Sequence, residues 1–261
     1  MAVDPYAAPK SHVADVRTID AEGNFVMAGR SVAAGNGWTW ITDAWDLVKT
    51  QKGAWIGLIV VFVVILFAMN FLPIVGPLLL MLLMPVFYGG VMRGCDVVRN
   101  GGTIQLSHLF AGFREKTSRL IGVGAVSLAV FAALFVIAMI VFGAQAARTM
   151  LGVQPTPEQM QAMGMSFLLV PLLFVALSVP LYMAIWFASP LIVLNDLSVG
   201  EALKASFAAC LKNVVPFLLF GIAFFGLAIV ASIPVLLGWL LLGPVLLASI
   251  YTGYRDIFYE S

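Results

Sequence analysis

Apolar positions run almost unbroken over residues 53–92, 120–143, 167–194 and 214–254, and short polar-marked stretches separate them. A helix needs about 20 apolar residues, rising 1.5 Å each, to cross a bilayer. The run 53–92 would make roughly 60 Å of helix, about twice the thickness of a hydrocarbon core. It therefore predicts a hairpin turning at "LPIVGP", residues 72–77, where prolines and a glycine interrupt the helix. Residues 214–254 repeat the arrangement around "SIPVLLG" at 232–238, and the runs 120–143 and 167–194 form a further pair. The prediction is an all-α polytopic membrane protein with six transmembrane helices.

The polar insertion 144–164 divides the middle pair. Within it "TPEQ", residues 156–159, has a capping residue, a proline at the first helical position and a glutamine at the third. A short surface helix feeding the fourth span is expected there. That span carries Pro171, Pro180 and Pro190, which predicts kinks or a break near its middle. Backbone groups freed by a break inside a membrane must find partners in the protein or in a water-lined cavity. Ser178, Pro180, Tyr182 and Trp186 are accordingly the candidate cavity residues.

The stretch "DLSVGEALKASFAACLKN", residues 196–213, is too short and too polar to cross a membrane. Ser198 and Glu201 have capping-box spacing, and Val199, Leu203, Phe207 and Leu211 recur every four residues. This predicts an amphipathic helix lying on the membrane face and turning into the fifth span. The same device precedes the other pairs. "WTWITDAWDLVKTQK" sets Trp38, Ile41, Trp45 and Val48 against Asp46, Lys49 and Lys52, and "SHLFAGFREKTSRL" sets Leu109, Phe110 and Phe113 before Arg114, Glu115 and Lys116. The chain thus reads as three repeated units of interfacial helix plus helical hairpin, at 38–97, 103–194 and 196–258. An offset of about 160 between the first and last units pairs Lys52 with Lys212, Pro73 with Pro234, Pro85 with Pro244 and Asp96 with Asp256.

Composition agrees with a membrane protein: 62% of residues are hydrophobic and only 10% charged, against roughly a quarter charged in soluble domains. A net charge of +1 gives no basic excess to attract nucleic acid. Cys95 and Cys210 have no CxxC partner and read as small reduced hydrophobes. Residues 1–37 lack an apolar run, so no cleavable signal is expected, and the segment reads as a disordered cytoplasmic tail whose "DPYAAPKS" is either a recognition segment or a solvated terminus. Placing that tail inside puts thirteen of the 14 lysines and arginines on the cytoplasmic side and leaves Arg148 outside. Both termini are then cytoplasmic.

"DPYAAP", "GRSVAAGNGWTWITDAW", "LSHLFAGFR" and "PLIVLNDLSVGEALKASFAACLKN" resemble an uncharacterised family of bacterial six-span inner-membrane proteins over nearly the whole chain. The passage "PLIVLND" with its following alanine, leucine and serine is distantly similar to the membrane domain attached to some glycerophosphodiester phosphodiesterases; the soluble catalytic domain is missing here. The resemblance implies a six-span bacterial membrane protein and no established activity.

Candidate chemistry is sparse. His12 and His108 are the only histidines, neither in a span, and the sequence holds no HExxH, GxSxG or P-loop pattern. A b-type haem would ordinarily need a histidine within a span. Asp96, Asp196, Glu201 and Asp256 all fall at the predicted cytoplasmic boundary, where capping or pairing with Arg93, Lys204 or Arg255 explains them. No catalytic, metal or cofactor site is expected. No charged residue falls at the centre of a span, so the polar groups at depth are Asn70, Tyr88, Ser127, Ser178, Tyr182 and Ser189. Their hydroxyls read as interhelical glue, or in the fourth span as the lining of a path for a neutral or lipid-like solute. Gly90 and Gly94 have the spacing for close helix approach, within the chain or in a homo-oligomer. The interfacial helices carry Trp38, Trp45, Lys49, Lys52, Arg114, Lys116, Lys204 and Lys212, a ring that either anchors the hairpins or holds anionic membrane lipids or a membrane-protein partner. The leading expectation is a non-catalytic binding, scaffold or accessory protein, and the alternative is a permease.

Overall fold

The computed structural model describes residues 23–151, 156–235 and 237–260. The first part of the expected tail, "DPYAAPKS" included, and residues 152–155 of the insertion lie outside the described residues. The elements are α1 (Asn36–Lys49), α2 (Lys52–Asn70), α3 (Val75–Arg99), a 3₁₀ helix (Leu106–Phe113), α4 (Thr117–Met150), α5 (Pro157–Ile185), α6 (Ala188–Asn195), α7 (Val199–Lys212), α8 (Val214–Ser232) and α9 (Trp239–Phe258). One antiparallel bridge, between Phe25 and Tyr259, is the only extended pairing among the described residues.

Five helical stretches are long and apolar enough to cross a membrane: Lys52–Asn70, Val75–Arg99, Thr117–Ile140, Phe167–Asn195 and Val214–Ser232. α9 is 20 residues long, or about 30 Å. Its last turns carry Tyr251, Tyr254, Arg255 and Asp256, and it is not among these five. The turns end α2 and α8 where the prolines require. Each turn then places a β-branched residue directly after its proline at positive φ, Ile74 at 66° and Val235 at 51°, a strained geometry for such side chains.

Two of the three amphipathic stretches form short helices ahead of long apolar ones, and the third differs. α1 buries Trp40, Ile41, Ala44 and Val48 against α8 and α9, and α7 buries Ala202, Ala205, Ser206, Ala209 and Cys210. The stretch before the third span forms a 3₁₀ helix rather than an amphipathic α-helix. It is pressed onto α3, where a Cβ on Gly90 would lie 2.3 Å from the His108 carbonyl oxygen and one on Gly112 would lie 2.0 Å from that of Val86. Gly90 and Gly94 therefore admit this segment rather than another long helix.

The break in the fourth span is also displaced from its expected position. Pro171 and Pro180 lie inside continuous α5, and the helix is interrupted at Trp186 and Phe187 instead. Pro190 accounts for the place: its ring crowds the carbonyl four residues back, that of Trp186, and it brings no N–H to bond it. Nothing in the structure explains why the other two prolines leave α5 unbroken. The surface helix expected at "TPEQ" is the first turn of α5, capped by Thr156 and Gln159.

The expected tail boundary at residue 37 needs correction as well. Residues 24–30 lie along the end of α9, with Val26 N–H donating to the Phe258 carbonyl at 2.8 Å, Arg30 N–H to that of Ile257 at 2.8 Å, and Glu260 N–H to that of Asn24 at 3.2 Å. The pairing is possible because Gly29 adopts φ +61° beside Ala209 and Ile257. The core gathers at this end of the bundle around Trp40, Trp55, Leu109, Phe187, Tyr251, Tyr254 and Phe258, all fully buried.

Candidate functional site

Asp256, near the end of α9, organises the polar end of the bundle. Its carboxylate accepts from Arg30 Nη2 at 3.0 Å, Asn36 Nδ2 at 2.8 Å and Trp40 Nε1 at 2.8 Å, and its carbonyl accepts from Arg30 Nε at 2.6 Å. One residue thus ties the N-terminal segment and α1 to α9. Asn213, between α7 and α8, does the same for the third unit. It is fully buried, accepts from Val32 N–H at 2.8 Å and donates to the Arg30 carbonyl at 2.9 Å and to that of Ala209 at 2.8 Å. Asn195 at the end of α6 bonds both Tyr254 and Tyr259, and Tyr251 donates to Asp96 at 2.9 Å.

The basic belt read from the sequence divides under this geometry. Lys49 pairs with Asp46 at 2.6 Å, Lys116 pairs with Asp196, and Lys212 donates to the carbonyls of Ala28 at 2.9 Å and Gly29 at 3.0 Å. Lys204 lies within electrostatic reach of Glu201, and the Arg114 side chain makes no hydrogen bond or ion pair with another described residue. Lys52 instead places its ammonium 5.2 Å from the centre of the Trp45 ring, a cation–π contact. The hydrogen bond from Lys116, then the nearby charges of Lys116 and Arg119, hold the Asp196 carboxyl below the usual carboxylate range. Asp43 moves the other way, raised by burial and then by Asp46 and Asp256. Burial pushes the Cys210 thiol up to about 12, as expected for an inert hydrophobe.

Trp38 and Trp45 line an apolar groove of about 510 Å³ with Ile41 of α1 and Leu227, Pro234 and Leu242 of the last hairpin. A second cavity, about 360 Å³, lies beside the break in the fourth span, with Met84, Tyr88, Phe131, Tyr182 and Trp186 among its walls. Tyr182 and Trp186 also border a cleft of about 280 Å³ facing Cys210 and Phe217. Of the four residues expected at a cavity, Tyr182 and Trp186 are therefore brought together and Ser178 and Pro180 are not. Pro180 is exposed on α5, and the Ser178 hydroxyl is buried with no hydrogen-bond partner among the described residues. A polar cavity of about 590 Å³ also opens beside Asp256, between Arg30, Asp43, Arg99, Arg255 and Glu260.

The break itself is closed by a residue without an assigned role in the sequence reading. Ser206 of α7 accepts from Phe187 N–H at 3.0 Å and donates to the Met183 carbonyl at 2.7 Å. In an unbroken helix those two groups would bond each other, so the hydroxyl is spliced into the ladder. The Asp256 hub went unread because Arg30 sits in a stretch without apolar pattern and its partner is 226 residues away. A signal existed in "GRSVAAGNGWTWITDAW", which carries Arg30, Asn36 and Trp40 together.

A probable inner membrane protein of Burkholderia thailandensis is 27% identical over 208 residues, covering 77% of this chain and 76% of that protein. No family model matches the chain, and no solved structure matches it. With its several membrane-capable helices, this similarity makes the chain a multi-pass inner-membrane protein.

Proposed function

We propose that the chain crosses the inner membrane six times with both termini in the cytoplasm, and that it is a non-catalytic scaffold that binds anionic lipid along α1. Parity supports the sixth crossing. Five crossings would leave the end of α9 across the membrane from the start of α1, yet Phe25 bridges Tyr259 and Arg30 bonds Asp256. α9 must then cross. The repeat reading draws support from the first and third units, where α1 and α7 are each 14 residues and α2 and α8 each 19. The positive-inside bias puts the polar end in the cytoplasm.

The observation that carries lipid binding is the Lys52 ammonium resting on Trp45 at the wall of the apolar groove. An acyl chain in the groove would bring an anionic headgroup to Lys52, a contact worth about 1 kcal/mol per basic residue at an anionic surface. Native mass spectrometry of the chain extracted in mild detergent should show phosphatidylglycerol or cardiolipin enriched over bulk lipid, with the enrichment lost in a Trp45→Ala, Lys52→Ala variant. Retention of bulk composition in the unaltered chain would refute the reading. A second reading, permeation of a lipid-like solute, is favoured by the cavities on both sides of Tyr182 and Trp186. Its test is flux of a fluorescent lipid in vesicles, which Trp186→Ala should change.

A further inference from the structure

We propose that the cavity at the break in the fourth span holds an acyl lipid whose chain lies among Met81, Met84, Phe131 and Trp186 and whose carbonyl oxygen accepts from the Tyr88 hydroxyl. This deepens the second reading without requiring flux, and the site shares no residue with the groove at Trp45.

The cavity, about 360 Å³, falls within the range of small-molecule sites, roughly 300–1,000 Å³. Its walls are largely apolar, and the two serine hydroxyls along them are already used. Ser127 donates to the Val123 carbonyl at 3.1 Å and Ser189 to that of Pro85 at 3.1 Å. The break, which would otherwise offer a free N–H and carbonyl, is closed by Ser206. The Tyr88 and Tyr182 hydroxyls and Trp186 Nε1 also line the cavity and bond no other described residue; of the two hydroxyls, that of half-buried Tyr88 on α3 faces the interior, while Tyr182 is 54% exposed. A donor in an apolar site is unfavourable until it meets an acceptor. What fits is an oxygen carrying lone pairs and no competing proton, attached to an apolar body.

Depth narrows the class to an acyl carbonyl. Tyr88 precedes Arg93 by five positions on the same helix, about 7–8 Å along its axis. Arg93 bonds Glu115 at 2.6 Å in the charged belt. A group one and a half turns beneath that belt meets the level at which a lipid's chain joins its carbonyl. Tyr182, on the opposite wall, is 54% exposed on the outer surface of α5, so a chain can enter sideways from the bilayer. The methionine side chains adapt to chains of differing length and unsaturation.

The test uses the full chain in phosphatidylethanolamine–phosphatidylglycerol vesicles, photolabelled with a diazirine analogue of palmitate or of phosphatidylglycerol, followed by peptide mapping. Label should concentrate on the peptides bearing Met84 and Trp186. Tyr88→Phe should lower it about fivefold, the loss of one neutral hydrogen bond, Met84→Trp should abolish it by filling the space, and Trp45→Ala should leave it unchanged. Competition by unlabelled palmitate identifies a fatty acid, and competition by phosphatidylglycerol alone identifies a glycerolipid ester; either supports the proposal. Label spread evenly over bilayer-facing residues such as Phe135 and Leu172, or undiminished by Tyr88→Phe, overturns it. Lost label in Tyr88→Phe with flux unaltered by Trp186→Ala would retain the site and remove the permease reading.

Discussion

The two ends of the bundle are held by different forces. At the polar end Asp256, Asn213 and Asn195 each bond groups from two or more elements. Glycines there bring backbones close together: a Cβ on Gly37 would stand 2.1 Å from the Pro216 carbonyl oxygen. At the far end the tips face outward, with Ile74 79%, Val235 88% and Met150 89% exposed. Lipid tails are as apolar as leucine, so helices in a bilayer gain little from burying apolar surface against each other. The far end is therefore covered by the membrane and left loosely specified, while polar satisfaction at the opposite end fixes which helices are neighbours.

Substitutions at the polar end should accordingly outweigh those at the far end. The largest effect is expected for Asp256→Ala, which removes the carboxylate acceptor of three side chains and leaves Arg30 only the main-chain carbonyl; a loss of about 3 kcal/mol should appear in reversible unfolding from detergent micelles. Asn213→Ala follows, at about 2–3 kcal/mol, because it leaves Val32 N–H and the Arg30 carbonyl without their partner. Ser206→Ala reopens the break and should cost about 1–2 kcal/mol. It should also speed amide exchange at Phe187 relative to the rest of α6, and Ser206→Thr should restore both. Ile74→Gly tests the far end in the opposite direction. Relief of the positive φ should stabilise by about 1 kcal/mol or less, and a destabilisation above that would show that the far turn is specified after all.

Local chemistry was legible in the sequence. Ser198 and Glu201 form the anticipated box, with Glu201 N–H donating to Ser198 Oγ at 3.4 Å and Ser198 N–H to Glu201 Oε2 at 3.0 Å, because a cap depends on residues a turn apart. The apolar runs and their proline turns were legible for the same reason. Long-range polar pairing was not. Lys212 reads as a candidate headgroup contact until tertiary packing brings the Ala28 and Gly29 carbonyls to it. The proline rule announced a break in the fourth span without saying which proline would make it. Tyr88 was visible as one of several hydroxyls at depth, and the bonding of Ser127, Ser189 and Ser206 together with the exposure of Tyr182 distinguishes it. Of the candidate cavity residues, Tyr182 and Trp186 line the space beside the break and Ser178 and Pro180 do not, since helical spacing alone does not reveal which face of α5 turns toward it.

The side of the membrane on which α9 ends tests the account most directly. Single cysteines at Leu237, in the last turn, and Glu260, after α9, can be probed with a membrane-impermeant maleimide on spheroplasts; Cys95 and Cys210 are buried. Six crossings predict that Leu237→Cys is labelled from outside and that Glu260→Cys is labelled only after permeabilisation. Labelling of Glu260→Cys on intact spheroplasts would contradict the six-span arrangement and with it the placement of the polar end in the cytoplasm.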